Sequence, residues 1–220
     1  DLSAFSNGVD DIPDDKKPDH ARVGEAVYRT AKELQGYISK LEEIRVPVIA
    51  AVHGGVIGGA LDLITACDMR FASNDAFFCI QEINIGMAAD VGTLQRLPKI
   101  IPDSKMREMA YTGRRMLADE AKDSGLVGEI YETQDEMLDA VHKLAAEIAS
   151  KSPVAIYGLK AVMNYSRDHN VSDSLDFNAL WSGAMLSQAD MTEAMTAQME
   201  KRDASFDKMV DVKKFNESKS

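Results

Sequence analysis

The sequence has few cysteines and little positive charge, and both shortages exclude classes of protein. Cys67 and Cys79 are the only cysteines among 220 residues, so no disulfide framework and no CxxC metal site can form, and a reducing compartment is indicated. Lysine and arginine number 25 against 36 acidic residues, a net charge of -11. This charge repels phosphate backbones and anionic lipid headgroups, so we expect neither a nucleic-acid partner nor a membrane partner.

Long hydrophobic runs are also missing, although apolar residues are plentiful. No run approaches the ~20 apolar residues that span a bilayer, whereas 45% of the chain is hydrophobic and 28% is charged. A chain of this length can bury about 70% of its unfolded surface, which predicts a globular protein. The sequence starts at Asp1 without an initiator methionine or a signal segment, and we therefore expect it to be cut from a longer chain.

Apolar spacing predicts an α/β chain. Apolar residues recur every three or four positions, which is the period of an amphipathic helix: Val23, Val27, Ala31, Leu34, Ile38 and Leu41. The β-branched run Val46–Val52 follows and is typical of a strand buried on both faces. Later strands are predicted at Met69–Ser73, Ala76–Glu82 and Leu126–Tyr131, and later helices at Ala60–Asp68, Ala89–Ile101, Met106–Tyr111, Ala118–Ser124 and Glu136–Ile148.

Helix-start signals dominate the last third of the chain. Thr133 with Glu136 forms a capping-box pattern, and Ser152 followed by Pro153 marks another helix start. Beyond these the pattern predicts helices and a charged tail. We therefore expect a core of residues 1–150 and a helical section of residues 151–220.

A glycine-rich turn follows the predicted buried strand. Gly54, Gly55, Gly58 and Gly59 precede a helix, where glycine lets a ligand approach the backbone and the first helical N–H groups lack acceptors. Such N–H groups favour negative charge. The turn contains neither GK[ST] nor GxGxxG, so an oxyanion hole is favoured over a phosphate cradle.

Three carboxylates accompany this turn. Asp62 lies one turn into the predicted helix, Glu82 ends a strand and Asp90 precedes the next helix. A structural explanation exists for each alone: Asp62 as a local cap, Glu82 as a solvated strand end and Asp90 as an N-cap. Three carboxylates near one glycine turn favour acid–base chemistry, because neighbouring carboxylates in an apolar setting can differ in proton affinity.

The same segment closely resembles the crotonase, or enoyl-CoA hydratase/isomerase, superfamily. The stretch VIAAVHGGVIGGALDLITACDMRFAS is similar to its signature, and DAFFCIQEINIGMAADVGTLQRLPKI is similar to the Δ3,5-Δ2,4-dienoyl-CoA isomerases within it. Asp90 matches the aspartate that separates those isomerases from the hydratases. The resemblance implies a spiral of ββα turns followed by C-terminal helices, and a homo-oligomer that is a trimer or a dimer of trimers.

The resemblance also implies a role for each residue of the site. Gly59 would donate its N–H to the thioester oxygen of an acyl-CoA, Glu82 would act at C2, and Asp90 would act at C6. Asp62 replaces the catalytic glutamate of the hydratases and would support the site. The implied reaction converts 3,5-dienoyl-CoA to 2,4-dienoyl-CoA in fatty-acid β-oxidation, with no metal and no cofactor apart from the CoA of the substrate.

The first two residues belong to the same comparison. Asp1 and Leu2 match the end of a family loop whose preceding residue supplies a second oxyanion N–H, which makes both candidate substrate-binding residues. The resemblance thus implies further strands ahead of Asp1. We expect residues 1–220 alone to be poorly active or unstable.

Other functions and several compartments stay open. The same fold would support 2-enoyl-CoA hydration or Δ3-Δ2 enoyl-CoA isomerisation, and a non-catalytic or RNA-binding crotonase-like protein is disfavoured by the net charge of -11. The family implies a peroxisome or a mitochondrial matrix in a eukaryote and the cytoplasm in a bacterium. Ser218–Ser220 lacks the final leucine of the peroxisomal S-K-L signal.

Several further residues are interpreted as structural. His53 has no Ser or Cys nucleophile in an elbow motif, and both cysteines are expected to be inert core thiols. Arg114 and Arg115 could contact the phosphates of CoA, but a solvated pair is favoured. The stripe of Met191, Met195 and Met199 predicts a packing or subunit face.

Overall fold

The computed structural model describes residues 19–211, and Asp1 and Leu2 lie outside these residues. Within them no helix has both the length and the apolar composition to cross a membrane. The elements in chain order are α1 (His20–Glu43), β1 (Ile49–Val52), β2 (Gly55–Ile57), α2 (Gly59–Thr65), β3 (Met69–Ser73), β4 (Phe77–Cys79), α3 (Thr93–Arg96), α4 (Asp103–Thr112), β5 (Met116–Leu117), α5 (Ala118–Asp123), β6 (Glu129–Tyr131), α6 (Gln134–Ala149), α7 (Pro153–Asp168), α8 (Val171–Met185) and α9 (Gln188–Glu200). Two 3-10 helices, Glu82–Ile85 and Leu97–Lys99, flank α3.

The strands form two three-stranded sheets that the chain visits alternately. The first sheet has the order β1-β3-β6 and is parallel throughout. The second has the order β2-β4-β5, in which β4 is parallel to β2 and antiparallel to β5. Strands β1 and β2 precede α2, and β3 and β4 then add the next layer to the same two sheets. The α/β spiral implied by the resemblance is thus confirmed.

One apolar cluster joins the sheets to the short helices. Its large, completely buried side chains come from α2, β4, the second 3-10 helix, α4, β5 and the turn before β6: Leu61, Phe78, Leu97, Met109, Met116 and Leu126, each 0% exposed. Burying large side chains of this kind stabilises a fold by ~1.5–3 kcal/mol each. The glycine turn between β2 and α2 is therefore anchored on both sides by buried residues.

Lys160 of α7 ties the helical section to the first sheet. Its side chain is 2% exposed, and its Nζ donates to the carbonyls of Leu41 and Val46 and to Asp68 Oδ2, at 2.7, 3.0 and 2.8 Å. Asp68 Oδ2 also accepts the Val48 N–H at 2.7 Å. A buried ammonium is tolerated only when its donors are satisfied, so this contact fixes α7 against the chain entering β1. The division at residue 150 stays a prediction.

The predicted helix Ala89–Ile101 is wrong in extent. Its first residues form a loop, α3 contains only Thr93–Arg96, and a 3-10 helix follows. Gly92 has φ of +139°, outside the helical region, and Pro98 has no N–H to continue an α-helix. The strand predicted at Ala76–Glu82 is likewise shorter, and Glu82 opens a 3-10 helix.

Helix α1 is present as predicted, but its apolar stripe is not buried. Val27 is 57% exposed and Leu34 is 39% exposed, and no residue of the helix is fully buried. Among the described contacts, α1 meets the core mainly through Leu41 and through polar side chains near its C-terminal half.

Candidate active site

The glycine turn brings backbone and carboxylate close together. Gly58 has φ of +55° and ψ of -120°, a conformation that residues with a Cβ rarely adopt. A Cβ on Gly58 would lie 3.0 Å from Oε1 of Glu82. Gly59 is exposed and is the first residue of α2, so its N–H has no acceptor within the helix. The turn therefore presents the Gly59 N–H as a free donor, and Glu82 approaches the preceding residue, Gly58.

Glu82 is half-buried at the start of its 3-10 helix. Burial raises the pKa of its carboxyl, and the negative charges of Asp62 and Asp90 raise it further, while hydrogen bonds from the local backbone offset part of this effect. The structure thus brings the three predicted carboxylates within electrostatic reach of one another. A higher pKa makes Glu82 a stronger proton acceptor.

Asp62 is buried, and its carboxylate already accepts a hydrogen bond from the backbone. The residue is 1% exposed, and Oδ1 accepts a hydrogen bond from the backbone N–H of Thr93 at 2.6 Å. Thr93 is the first residue of α3, where a backbone N–H has no intrahelical partner. The expectation of a local cap is corrected, since Asp62 serves a helix that lies 31 residues further along the chain.

Asp90 lies in the loop before α3 with its side chain exposed. Its backbone carbonyl accepts a hydrogen bond from Gln35 Nε2 at 2.7 Å. The suggested N-cap role is wrong, because Gly92 is the residue before Thr93 and Asp62 supplies the acceptor. Within residues 19–211 the Asp90 carboxylate accepts no hydrogen bond, so it is available for proton transfer.

Cys79 and Asn84 both contact the residue that follows α4, and both cysteines are buried. Cys79 Sγ and Asn84 Nδ2 both donate to the carbonyl of Gly113, at 3.2 and 3.0 Å. Both Cys67 and Cys79 are buried, and burial raises the pKa of each thiol. A raised pKa keeps a thiol protonated and unreactive at neutral pH, as expected for core cysteines.

Arg114 is not the solvated side chain that the sequence suggested. Its guanidinium donates to Glu108 at 2.9 Å and to Glu120 at 2.7 Å, and hydrogen bonds from Arg114 and Lys105 lower the pKa of Glu120 to about 2. Arg115 instead lies over the ring of Phe77, 4.2 Å from its centroid. Residues 19–211 contain no cluster of three or more His, Cys, Asp or Glu side chains that could hold a metal ion.

Sequence reasoning missed the polar contacts that support the site. Gln35 lies on α1, whose apolar residues alone were used to recognise the helix. The available signal was the spacing of Gln35, Ser39 and Glu42, which places three polar side chains on one helical face. Lys160 carried no such signal, because a single lysine in a helix is usually exposed.

The geometry of the site can be compared with known proteins. Residues 4–209 match the enoyl-CoA hydratase/isomerase family. The chain is 46% identical over 207 residues to the mitochondrial Delta(3,5)-Delta(2,4)-dienoyl-CoA isomerase of Rattus norvegicus, which covers 91% of this chain and 63% of that protein. It is also 46% identical over 191 residues to the peroxisomal Delta(3,5)-Delta(2,4)-dienoyl-CoA isomerase of Arabidopsis thaliana, with coverages of 87% and 69%.

A solved structure shows the same architecture. The crystal structure of an enoyl-CoA hydratase from Bacillus anthracis superimposes with a TM-score of 0.77 at 29% identity, over 83% of this chain and 70% of that one. The present chain spans 63% of the length of the rat relative. The family match over residues 4–209, the 46% identity to relatives and the shared architecture show that the chain belongs to the enoyl-CoA hydratase/isomerase family.

Proposed function

We propose that the protein isomerises 3,5-dienoyl-CoA to 2,4-dienoyl-CoA in fatty-acid β-oxidation. The observation that carries this proposal is that only one of the three carboxylates, that of Asp62, is occupied by a structural hydrogen bond from a distant helix. Asp62 is bonded to the Thr93 N–H, whereas Glu82 lies beside the glycine turn. The Asp90 carboxylate accepts no hydrogen bond within residues 19–211 and lies within electrostatic reach of Glu82. Relatives that are named dienoyl-CoA isomerases, at 46% identity, support the same reaction.

In the first step Glu82 removes a proton from C2 of the acyl chain. The electron pair of the broken C–H bond spreads through the diene and places negative charge on the thioester oxygen. The Gly59 N–H would donate to this oxygen. Removing one donor of such an oxyanion hole typically costs about 10²- to 10³-fold in kcat.

In the second step Asp90 delivers a proton to C6. The electrons that return from the thioester oxygen form the C2=C3 and C4=C5 double bonds, so the 3,5-diene becomes the 2,4-diene. Glu82 enters ionised and leaves protonated, Asp90 does the reverse, and exchange with solvent restores both. Because carboxylates and backbone N–H groups perform every step, we propose that no cofactor is needed apart from the CoA of the substrate.

Hydration of a 2-enoyl-CoA is the competing reaction. A hydratase of this family needs two carboxylates that hold and activate a water molecule, and Asp62 stands at one of these places. Its Oδ1 is committed to Thr93 and its side chain is buried. This arrangement disfavours hydration. It favours isomerisation, in which Glu82 removes a proton at C2 and Asp90 delivers a proton at C6.

An absorbance assay with two substrates tests the proposal. A 3,5-dienoyl-CoA should develop the absorbance of a conjugated 2,4-dienoyl-CoA when the protein is added, and a 2-enoyl-CoA should keep its absorbance. Hydration of the 2-enoyl-CoA without isomerisation of the diene would overturn the proposal. Conversion of a 3-enoyl-CoA to a 2-enoyl-CoA, without conversion of the 3,5-dienoyl-CoA, would indicate a Δ3-Δ2 enoyl-CoA isomerase.

We also propose a mitochondrial or peroxisomal location for a eukaryotic protein. The rat relative is named mitochondrial and the Arabidopsis relative is named peroxisomal. Both compartments would supply the acyl-CoA partner. Fractionation of cells that produce the complete protein tests this, and recovery only in the cytosol would contradict it.

We further propose that α8 and α9 mediate contact between copies of the chain, in a trimer or a dimer of trimers. Large apolar side chains on these helices face solvent, with Leu180 75% exposed, Met195 59% and Met199 77%. Monomeric proteins rarely expose large contiguous apolar patches. Light scattering should give at least three times the chain mass, and Leu180→Glu should reduce it, whereas a monomeric parent protein would contradict the proposal.

A further inference from the structure

A stripe of polar side chains on α1 holds the segment that carries Asp90. Gln35, Ser39 and Glu42 are spaced by four and three residues, so they share one face of the helix. All three are half-buried, whereas most of α1 is exposed. We call residues 86–92 the Asp90 loop, and this face of α1 lies against it and against the start of α3.

The first contact is made directly to the Asp90 peptide. Gln35 Nε2 donates to the Asp90 carbonyl at 2.7 Å, across 55 residues of sequence. Three residues later, Asp62 Oδ1 accepts the N–H of Thr93 at 2.6 Å. The backbone between the two anchors is therefore held from α1 on one side and from α2 on the other.

The second contact runs through Arg96. A Cβ on Gly92 would lie 1.9 Å from Arg96 Nη1, so the guanidinium lies directly across the end of the Asp90 loop. Arg96 Nη2 donates to Glu42 Oε2 at 2.7 Å and to Ser39 Oγ at 2.9 Å. Arg96 and Glu42 are only 13% and 15% exposed, where an ion pair is less screened by solvent than at a surface.

We propose that Gln35 is a positioning residue for Asp90. This inference rests on the proposed function, because the position that matters is that of the Asp90 carboxyl relative to C6 of the substrate. Loss of the Gln35 hydrogen bond frees the Asp90 peptide and lowers the fraction of molecules in which the carboxyl reaches C6. Misplacement of a catalytic group by about 1 Å can cost ~10²-fold in rate.

Gln35→Met tests the proposal, because methionine has a similar length and no N–H donor. We expect kcat for isomerisation to fall about 10- to 100-fold while KM stays within about twofold, since Gln35 does not contact the reacting atoms. Gln95→Met is the matched control. Gln95 is exposed on α3, and its side chain makes no hydrogen bond within residues 19–211, so this variant should keep the parent kcat.

Two further measurements distinguish misplacement of Asp90 from a general disturbance of the active site. Exchange of the C2 proton in D₂O depends on Glu82 and should persist in Gln35→Met. Adding Gln35→Met to Asp90→Asn should cause no further loss of kcat, because residues that act through one another are non-additive. Three outcomes would each overturn the proposal. The first is an equal loss of kcat and of C2 proton exchange in Gln35→Met. The others are an additional loss of kcat in the Asp90→Asn background and an unchanged kcat in Gln35→Met.

Amide hydrogen exchange tests whether Gln35 holds the Asp90 loop without any measurement of activity. The peptides that cover residues 86–93 should exchange faster in Gln35→Met than in the parent protein or in Gln95→Met. If the complete protein does not isomerise a 3,5-dienoyl-CoA but this exchange accelerates, the proposed function is wrong and the anchor on Asp90 stands. If the exchange is unchanged, Gln35 does not hold the loop and the inference is wrong whatever the activity.

Discussion

Oδ1 of Asp62 accepts a hydrogen bond from the backbone N–H of Thr93 at 2.6 Å. This contact joins α2, which begins at the glycine turn, to α3, which begins just after Asp90. In the proposed function this contact makes Asp62 an anchor rather than an acid or a base. The two remaining carboxylates, Glu82 and Asp90, would then be the pair that moves a proton along the conjugated chain.

Asp62→Ala should destabilise the protein. The substitution leaves the buried N–H of Thr93 without an acceptor, which typically costs ~1–3 kcal/mol. Asp62→Asn retains a carbonyl oxygen and should cost less. Urea unfolding measures the difference, and Asp139→Ala, an exposed aspartate on α6, should stay within about 0.5 kcal/mol of the parent. Equal stabilities of Asp62→Ala and the parent protein would show that the Thr93 contact contributes nothing.

Asp90→Asn should lower kcat for isomerisation ~10²- to 10⁴-fold, to a residual rate that is still measurable, and should leave stability unchanged. An amide of the same size cannot deliver the proton to C6, and loss of a general acid typically costs ~10²- to 10⁴-fold. The Asp90 carboxylate makes no hydrogen bond within residues 19–211, so its replacement removes no structural contact. The dienoyl-CoA absorbance assay and a thermal melt measure the two properties. A variant with full activity would remove Asp90 from the mechanism.

The pH dependence of kcat/KM should report the environment of Glu82. Glu82 must be ionised to accept the C2 proton. When Asp90 carries the proton for C6, burial and the negative charge of Asp62 still raise the pKa of Glu82 above the usual value of 4.5. Activity should therefore fall as the pH decreases, with a midpoint above 4.5. Asp62→Asn removes this negative charge and should move the midpoint to lower pH, whereas Asp139→Asn should not. A midpoint below 4.5 in the parent protein would contradict the assignment of Glu82 as the base.

Lys160→Ala should be the most destabilising of these substitutions. It removes a buried ammonium and leaves Asp68 and two carbonyl groups without their partner. Breaking a buried ion pair from one side typically costs ~3–5 kcal/mol. Lys143→Ala, on the exposed face of α6, is the control. If both variants unfold at the same urea concentration, α7 is not held by this contact.

Local signals in the sequence were enough to recognise most elements. Thr133 Oγ accepts the N–H of Glu136 and Ser152 Oγ accepts the N–H of Ala155, each at 3.2 Å, where the capping patterns predicted helix starts. Strand β3 has the bounds that its sequence pattern predicted. These signals succeed because a cap or a strand pattern depends on residues within a few positions of each other.

The candidate site was also predictable in its residue types. Glycine at position 58 is required by its positive φ and by the approach of Glu82, and this requirement leaves a visible cluster of glycines in the sequence. The resemblance to a family placed Glu82 and Asp90 in roles that remain predictions. The charges of Asp62 and Asp90 both raise the pKa of Glu82, so the tertiary structure places the three carboxylates within electrostatic reach of one another.

The sequence by itself determined the α/β class and the glycine turn, because each depends on a short local pattern, and its resemblance to a family supplied the candidate acid and base. Only the tertiary structure decided how those groups are supported. Asp62 reaches Thr93 across 31 residues, Gln35 reaches Asp90 across 55, and Lys160 reaches Asp68 across 92. No local pattern encodes which distant N–H, carbonyl or carboxylate a polar side chain will meet, since that depends on how the layers of the spiral and its helices pack together.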